Sequence, residues 1–283
     1  AVIDAALEVI GDGRPRVLDY RVTNERAWEG GLACGGALRV YVERPARELV
    51  GRILSALAAK EPVVLATDVA TGAPRLLRPL QPEPDLEPAL AEAARGAVER
   101  DRSGVVAMPG GWVFLRVFNP PVRLAIVGAV QIAQALAPMA QLAGYDVLVV
   151  DPRRAFATAE RFPGIQLVSE WPDVALGRAG LDRRSAVVTL THDPKLDDPA
   201  LVAALRSEAF YVGCLGSQRT QAGRRERLAA MGFTQRDLAR IHGPVGLPIG
   251  AISPGEIAVS ILSQLVGALR GPPASQRYRD ALT

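Results

Sequence analysis

The chain has 283 residues, 49% hydrophobic and 22% charged, with a net charge of +3. That is a soluble globular composition long enough for two domains. It excludes two classes: no Lys/Arg run is dense enough for a nucleic-acid footprint, and 5% aromatic residues is too few for a base-stacking platform.

Residues 1 to 10 carry a short helical pattern, ended by Gly11-Asp12-Gly13. Ala37 to Glu43 alternates, with Leu38, Val40 and Val42 on one face, as a half-buried strand does. Pro45 opens a helix whose apolar face includes Leu49, Ile53, Leu54 and Leu57. Val63 to Ala66 reads as a buried strand, and the proline-rich stretch from Arg78 to Pro88 as a connector. A helix follows from Leu90 to Arg100. Val105 to Met108 and Trp112 to Phe118 form a hairpin about Pro109-Gly110-Gly111. Residues 1–119 are thus expected to be a smaller α/β domain.

Residues 120–283 show a second pattern. Strands are predicted at Arg123 to Val127, Asp146 to Val150, Gln166 to Val168, Ala186 to Leu190 and Phe210 to Val212, with helices between most of them. This alternation predicts a Rossmann-like α/β domain with a parallel sheet. Ala125 to Ala143 comes closest to a membrane span, but Gln131, Gln134 and Gln141 interrupt it and Gly128 marks a turn. The final helix, Pro254 to about Leu269, places Ile257, Ile261, Leu265 and Leu269 on one stripe. No signal peptide is visible, and the expectation is a cytoplasmic protein with no membrane and no nucleic-acid partner.

In an open parallel sheet, ligands bind outside the carboxyl ends of the strands. The residues that follow the predicted strands are therefore the candidates: Gly128-Ala129-Val130, Asp151-Pro152-Arg153-Arg154, Thr191-His192-Asp193-Pro194 and Gly213-Cys214-Leu215-Gly216-Ser217. Gly128 and Asp151 stand where a dinucleotide fingerprint has its first glycine and its acid. Val130 occupies the second glycine position, where a side chain obstructs a pyrophosphate. Asp151 either accepts from a ribose or pairs with Arg153 or Arg154 as a surface ion pair. His192 is an acid–base candidate or a backbone-bonded loop residue. Ser217 is placed to cap a helix whose amides also attract an anion. Arg219 in that first turn opposes the helix dipole, which points to an anionic ligand in front of it. Cys214 reads as a packed small residue in its loop. Ser253 to Glu256 and Thr234 to Asp237 read as capping boxes rather than chemistry.

Two cysteines far apart, Cys34 and Cys214, argue against a disulfide framework or a zinc site. In Gly30-Gly31-Leu32-Ala33-Cys34-Gly35-Gly36, four glycines surround a thiol: a reachable, activated cysteine, or a tight turn with an incidental one.

Several segments together resemble the XdhC/CoxF family, the xanthine dehydrogenase accessory proteins. They are Gly31 to Gly36, Asp151-Pro152-Arg153, Glu160 to Pro163, Thr191-His192-Asp193, Tyr211 to Ser217, Ile241 to Leu247 and Glu256 to Ile261, in the family's order. The resemblance implies a chaperone that binds the molybdenum–pterin cofactor, as molybdopterin or a nucleotide form of it. Such a chaperone supports sulfuration by a cysteine desulfurase and delivers the cofactor to an apo molybdenum hydroxylase. A homodimer is expected. The cofactor-binding set is then Cys34, Gly35, Gly36, Gly128, Asp151, His192, Asp193, Gly216, Ser217 and Arg219, with Cys34 also the candidate metal contact. No catalytic residue is assigned. The chain departs from the family at Val130 and at Gln264, where many members carry Glu, and the resemblance leads one to expect a further cysteine-bearing segment upstream of Ala1. The competing readings are an NAD(P)-dependent oxidoreductase built on the Rossmann-like domain, and a scaffold that binds only a partner protein.

Overall fold

The computed structural model describes residues 2–22 and 35–271. They fall into two compact units, Ala1–Pro120 and Pro121–Thr283.

In the first unit, helix α1 (Val2–Asp12) buries Ala5 and Val9 and precedes an antiparallel pair, β1 (Arg16–Val22) and β2 (Gly36–Val42). Then come α2 (Arg47–Ala58), β3 (Val63–Asp68), β4 (Pro74–Leu77), α3 (Pro88–Glu99), β5 (Gly104–Met108) and β6 (Gly111–Phe118). The last four strands make an antiparallel sheet of order β4-β3-β6-β5. Its side chains alternate faces. Val64, Ala66 and Leu115 pack against Ala94, Ala97 and Val98 of α3. Val63 and Leu65 pack against Leu49, Ile53 and Ala56 of α2. Helix α2 starts two residues later than Pro45, and Leu54 on its predicted apolar face is 60% exposed.

The second unit holds a six-stranded parallel sheet. Its elements are β7 (Arg123–Val127), α4 (Gln131–Leu142), β8 (Asp146–Val150), β9 (Gln166–Val168), α5 (Pro172–Ala179), β10 (Ser185–Thr189), α6 (Pro194–Leu205), β11 (Tyr211–Cys214), α7 (Gln218–Ala230), α8 (Gln235–Leu238), β12 (Ile241–His242) and α9 (Pro254–Arg270). The strand order is β12-β11-β10-β7-β8-β9, the Rossmann order, with the reversal between β7 and β10. Strands β7, β8 and β10 are apolar runs because helices cover both faces. One face packs α4 and α9 through Ala133, Leu136, Ala137, Ala140, Ile261 and Leu265. The other packs α5, α6 and α7 through Leu176, Leu201, Leu205 and Leu228. Each fully buried leucine contributes about 1.5–3 kcal/mol. The mixed α/β class with a Rossmann-like parallel sheet is thus present, with smaller sheets in the N-terminal part. Among the described residues no helix is long and apolar enough to cross a membrane.

Candidate functional site

The register brings the strand ends level. Val127 lies beside Val150 and Thr189, and Thr189 beside Cys214. The loops that follow therefore gather at one edge, around the point where strand order reverses.

The β7 loop turns at Gly128, which has φ +107°. A Cβ there would come within 2.5 Å of the Thr191 methyl, so only glycine lets the β7 and β10 loops meet. Val130 then precedes α4 as its N-cap, and no side chain caps that helix. The helices on either side differ. Asp193 caps α6, accepting from Lys195 N at 2.9 Å. Ser217 caps α7, accepting from Thr220 N at 3.2 Å. The first-turn amides of α4 are thus left open to an anion, at the positive end of the helix dipole.

Asp151 takes the ion-pair alternative, but not on the surface as the sequence led one to expect. The carboxylate is fully buried and accepts from Ala129 N (2.8 Å), Arg153 N (3.0 Å), Arg153 Nε (2.9 Å) and Arg153 Nη2 (2.8 Å). Burial raises its proton affinity. The Arg153 guanidinium and the Ala129 and Arg153 amides outweigh it and hold the carboxyl below the usual carboxylate range. A ribose hydroxyl would have to displace Arg153, so Asp151 ties the β8 end to the β7 loop instead. Arg153 also stacks 4.4 Å over Phe156, and exposed Arg154 follows it in the loop.

His192 is exposed and adopts φ +62° at the reversal point, a conformation that costs a non-glycine residue free energy. Gly216 has φ +139°, with Thr220 packed where its Cβ would stand. Exposed Ser217 and Arg219 follow at the start of α7. Cys214 is the last residue of β11 rather than part of the loop. It is fully buried, its sulfur lies 2.7 Å from Thr189 Oγ1, and burial pushes its thiol up to about 12. That thiol is protonated and inert at neutral pH. Gly35 and Gly36 lie at the start of β2 in the first unit, and Cys34 lies outside the described residues. Both expected capping boxes are present.

Sequence reasoning passed over the polar lattice beneath these loops. Arg224, 2% exposed, donates to Asp197 Oδ2 (3.1 Å), Gln221 Oε1 (2.7 Å) and Leu215 O (3.3 Å). Asp197 in turn accepts from Thr191 Oγ1 at 2.6 Å, and Gln221 donates to Cys214 O at 3.0 Å. Burial pushes the Asp197 carboxyl up, against the pull of Thr191 and Arg224. One buried arginine thus links α7, α6 and the β10 and β11 loops. Gln221, Arg224 and Leu228 share one helical stripe that ends on a core leucine, but nothing in the residue types sets this arginine apart from the others in α7. Gln264 clamps the apolar loop after β12: its Oε1 accepts from Tyr211 Oη at 2.6 Å and from Gly246 N at 2.9 Å. Among the described residues no cluster of His, Cys, Asp and Glu could hold a metal ion.

A sheet in Rossmann order, with an uncapped helix start at the reversal of strand order, defines a Rossmann-type domain of the kind that receives small anionic ligands at its strand ends. The chain belongs to the XdhC family: the XdhC Rossmann domain matches residues 124–265. It is similar to the molybdenum cofactor insertion chaperone PaoD of Escherichia coli K12, 28% identical over 262 residues, 92% of this chain and 68% of PaoD. A probable xanthine dehydrogenase component of Bacillus subtilis 168 is 32% identical over 155 residues, 54% of this chain. This chain spans 45% of that relative. A crystal structure described as a xanthine dehydrogenase from Bacillus halodurans aligns with a TM-score of 0.68 at 23% identity, covering 97% of this chain and 81% of the other, which shows a shared fold.

Proposed function

We propose that this protein is an insertion chaperone that carries the molybdenum–pterin cofactor to an apo molybdenum hydroxylase of the xanthine dehydrogenase type. Likeness to PaoD along 92% of the chain supports the class of function. The observation that carries the site is the uncapped start of α4 at the reversal point. A phosphate-bearing cargo finds there open amides, a glycine turn without a Cβ at Gly128, and His192, Ser217 and Arg219 on neighbouring loops. Asp151, Asp193 and Gly216 shape this edge: the first through Arg153, the second as a cap, the third as a turn. Cys34, in its glycine-rich segment, is the thiol proposed for metal contact or for carrying sulfur passed on from a cysteine desulfurase persulfide. The chaperone acts as a homodimer.

The test is reconstitution of a purified apo hydroxylase with free cofactor, with and without this protein. The expected result is faster and more complete activation with the protein present, lost when Ser217 and Arg219 are replaced together by Ala and Glu. Activation equal in its presence and absence overturns the proposal.

A further inference from the structure

Helix α9 is partnered on one side only. Ala258, Ile261 and Leu265 turn inward and are buried in the core that α9 shares with α4 and the sheet. Glu256, Ser263 and Arg270, spaced by seven residues, share the opposite, exposed side, flanked by Val259 and Val266. The loop before the helix adds apolar surface there. Leu247 lies against α9, its N–H donating to Ser260 O at 3.2 Å. Ile249 and Ile252 follow in the loop and are 57% and 87% exposed. Single exposed hydrophobics are ordinary, but a group of them on one helix and the loop bound to it marks an interaction surface. The surface is preformed. Gln264 accepts from Gly246 N at 2.9 Å, and Ile252 N donates to Glu256 Oε2 at 2.8 Å. An ordered loop loses little conformational freedom on association.

Gly267 is a second, independent observation. It stands one turn beyond Ser263, inside the helix and exposed. It is not among the glycines with positive φ, and a Cβ there would meet nothing within 4 Å. Among the described residues nothing therefore calls for glycine, although alanine is better in a helix interior by about 1 kcal/mol. A gap in an exposed helix face lets a second helix approach closely, since the side chains at the contact set the distance between axes.

The order of residues along this face identifies that second helix. A two-fold axis through Ser263 lays another α9 antiparallel on the first, and residues equally far before and after Ser263 then stand opposite each other. Glu256 meets Arg270, an acid against a base at both ends. Val259 meets Gly267, a projection against a gap. Val266 meets Ser260, where Leu247 is bonded, and the loop extends the apolar contact. A parallel pair would instead set Glu256 on Glu256 and Arg270 on Arg270, which like charges oppose. We propose that the exposed face of α9, with the loop from Leu247 to Ile252, is the contact between two copies of this chain, antiparallel about Ser263. This rests on the homodimer of the proposed function and gives it a surface. The loop before α9 is bonded to the end of β11, Val245 N to Cys214 O at 3.0 Å. Each α9 thus starts at its own strand-end edge, and the two edges come to lie at opposite ends of the helix pair.

Sedimentation velocity of the full chain over a range of concentrations measures the dimer dissociation constant. Gly267→Arg fills the gap and is expected to raise that constant at least about tenfold. It should leave the circular dichroism spectrum unchanged, because the position faces open space. Arg270→Glu sets two acids opposite each other and acts in the same direction. In a Cys34→Ser background, Ser263→Cys should give a covalent dimer under copper phenanthroline and air, while Ala222→Cys, exposed on α7, gives none. A constant unchanged by Gly267→Arg, or no cross-link from Ser263→Cys, overturns this surface and leaves the homodimer standing. A parent that sediments as a monomer throughout overturns both. A Gly267→Arg protein that still dimerises as the parent does but no longer activates the apo hydroxylase assigns the face to the hydroxylase, and that result also overturns the proposal.

Discussion

Replacing Arg224 with Met removes the cation bonded to the buried Asp197 carboxylate and releases Gln221 and the Leu215 carbonyl. Breaking a buried pair from one side costs about 3–5 kcal/mol, because the remaining charge is left without compensation. At about 2–4 °C per kcal/mol for a domain of this size, the melting temperature falls by roughly 10 °C. The loss depends on pH, and its sign follows from the carboxyl. Burial already raises the Asp197 proton affinity in the folded state, and losing Arg224 raises it further. A folded-state pKa above the unfolded value gives stability that is present at low pH and lost as pH rises through the folded pKa. The Arg224→Met deficit is therefore smaller at pH 5 than at pH 8. Adding Asp197→Asn keeps a partner for Thr191, removes the stranded charge, and restores most of the stability at pH 8. Thermal and urea melts of the three proteins at both pH values provide the check. An Arg224→Met protein that melts within about 2 °C of the parent, or whose deficit is the same at both pH values, refutes the reasoning.

Gly128→Ala meets both the φ of +107° and the Thr191 methyl at 2.5 Å. It is expected to cost about 1–3 kcal/mol, and Thr191→Ser in the same chain relieves the clash but not the backbone strain; denaturant melts of single and double variants measure both. In a Cys34→Ser background, a thiol reagent at pH 8 should leave Cys214 unlabelled until the protein unfolds; prompt labelling contradicts its burial and its thiol pKa of about 12. Asp151 has its folded pKa below the unfolded value near 3.8. Its contribution is thus present above that value and lost as pH falls through the folded pKa. Asp151→Asn should be less stable at pH 7 and show a shallower acid loss in melts between pH 5 and pH 2.

The second unit is legible because β7, β8 and β10 are covered on both faces and so carry apolar runs, Leu124 to Val127, Val147 to Val150 and Ala186 to Val188, with polar residues only at their ends. Its turn residues fall where the sheet edge needs them, so Gly128, His192, Asp193 and Ser217 stand out in the sequence itself. Strand β1 escapes notice because Arg16, Asp19 and Arg21 interrupt its pattern, and β12 because it has two residues. Asp151 shows the limit of motif reading: the acid is at the fingerprint position, but its neighbour Arg153, two residues on, takes the place a ribose would need. Arg224 is illegible for a different reason. It is one of four arginines in α7, and in sequence a buried one looks like its exposed neighbours. The β11 boundary matters too, since a strand that runs on through Gly213 and Cys214 turns Cys214 from a loop thiol into a core residue.

The most direct measurement of the central claim is cofactor capture. The purified chain is mixed with freshly released molybdenum cofactor and separated by gel filtration, and its peak is assayed for molybdenum and for oxidised pterin fluorescence. The account predicts near-stoichiometric co-elution of both, reduced in the variant with Ser217 and Arg219 replaced. A protein peak free of molybdenum and pterin, from cofactor that an apo hydroxylase still takes up directly, contradicts it.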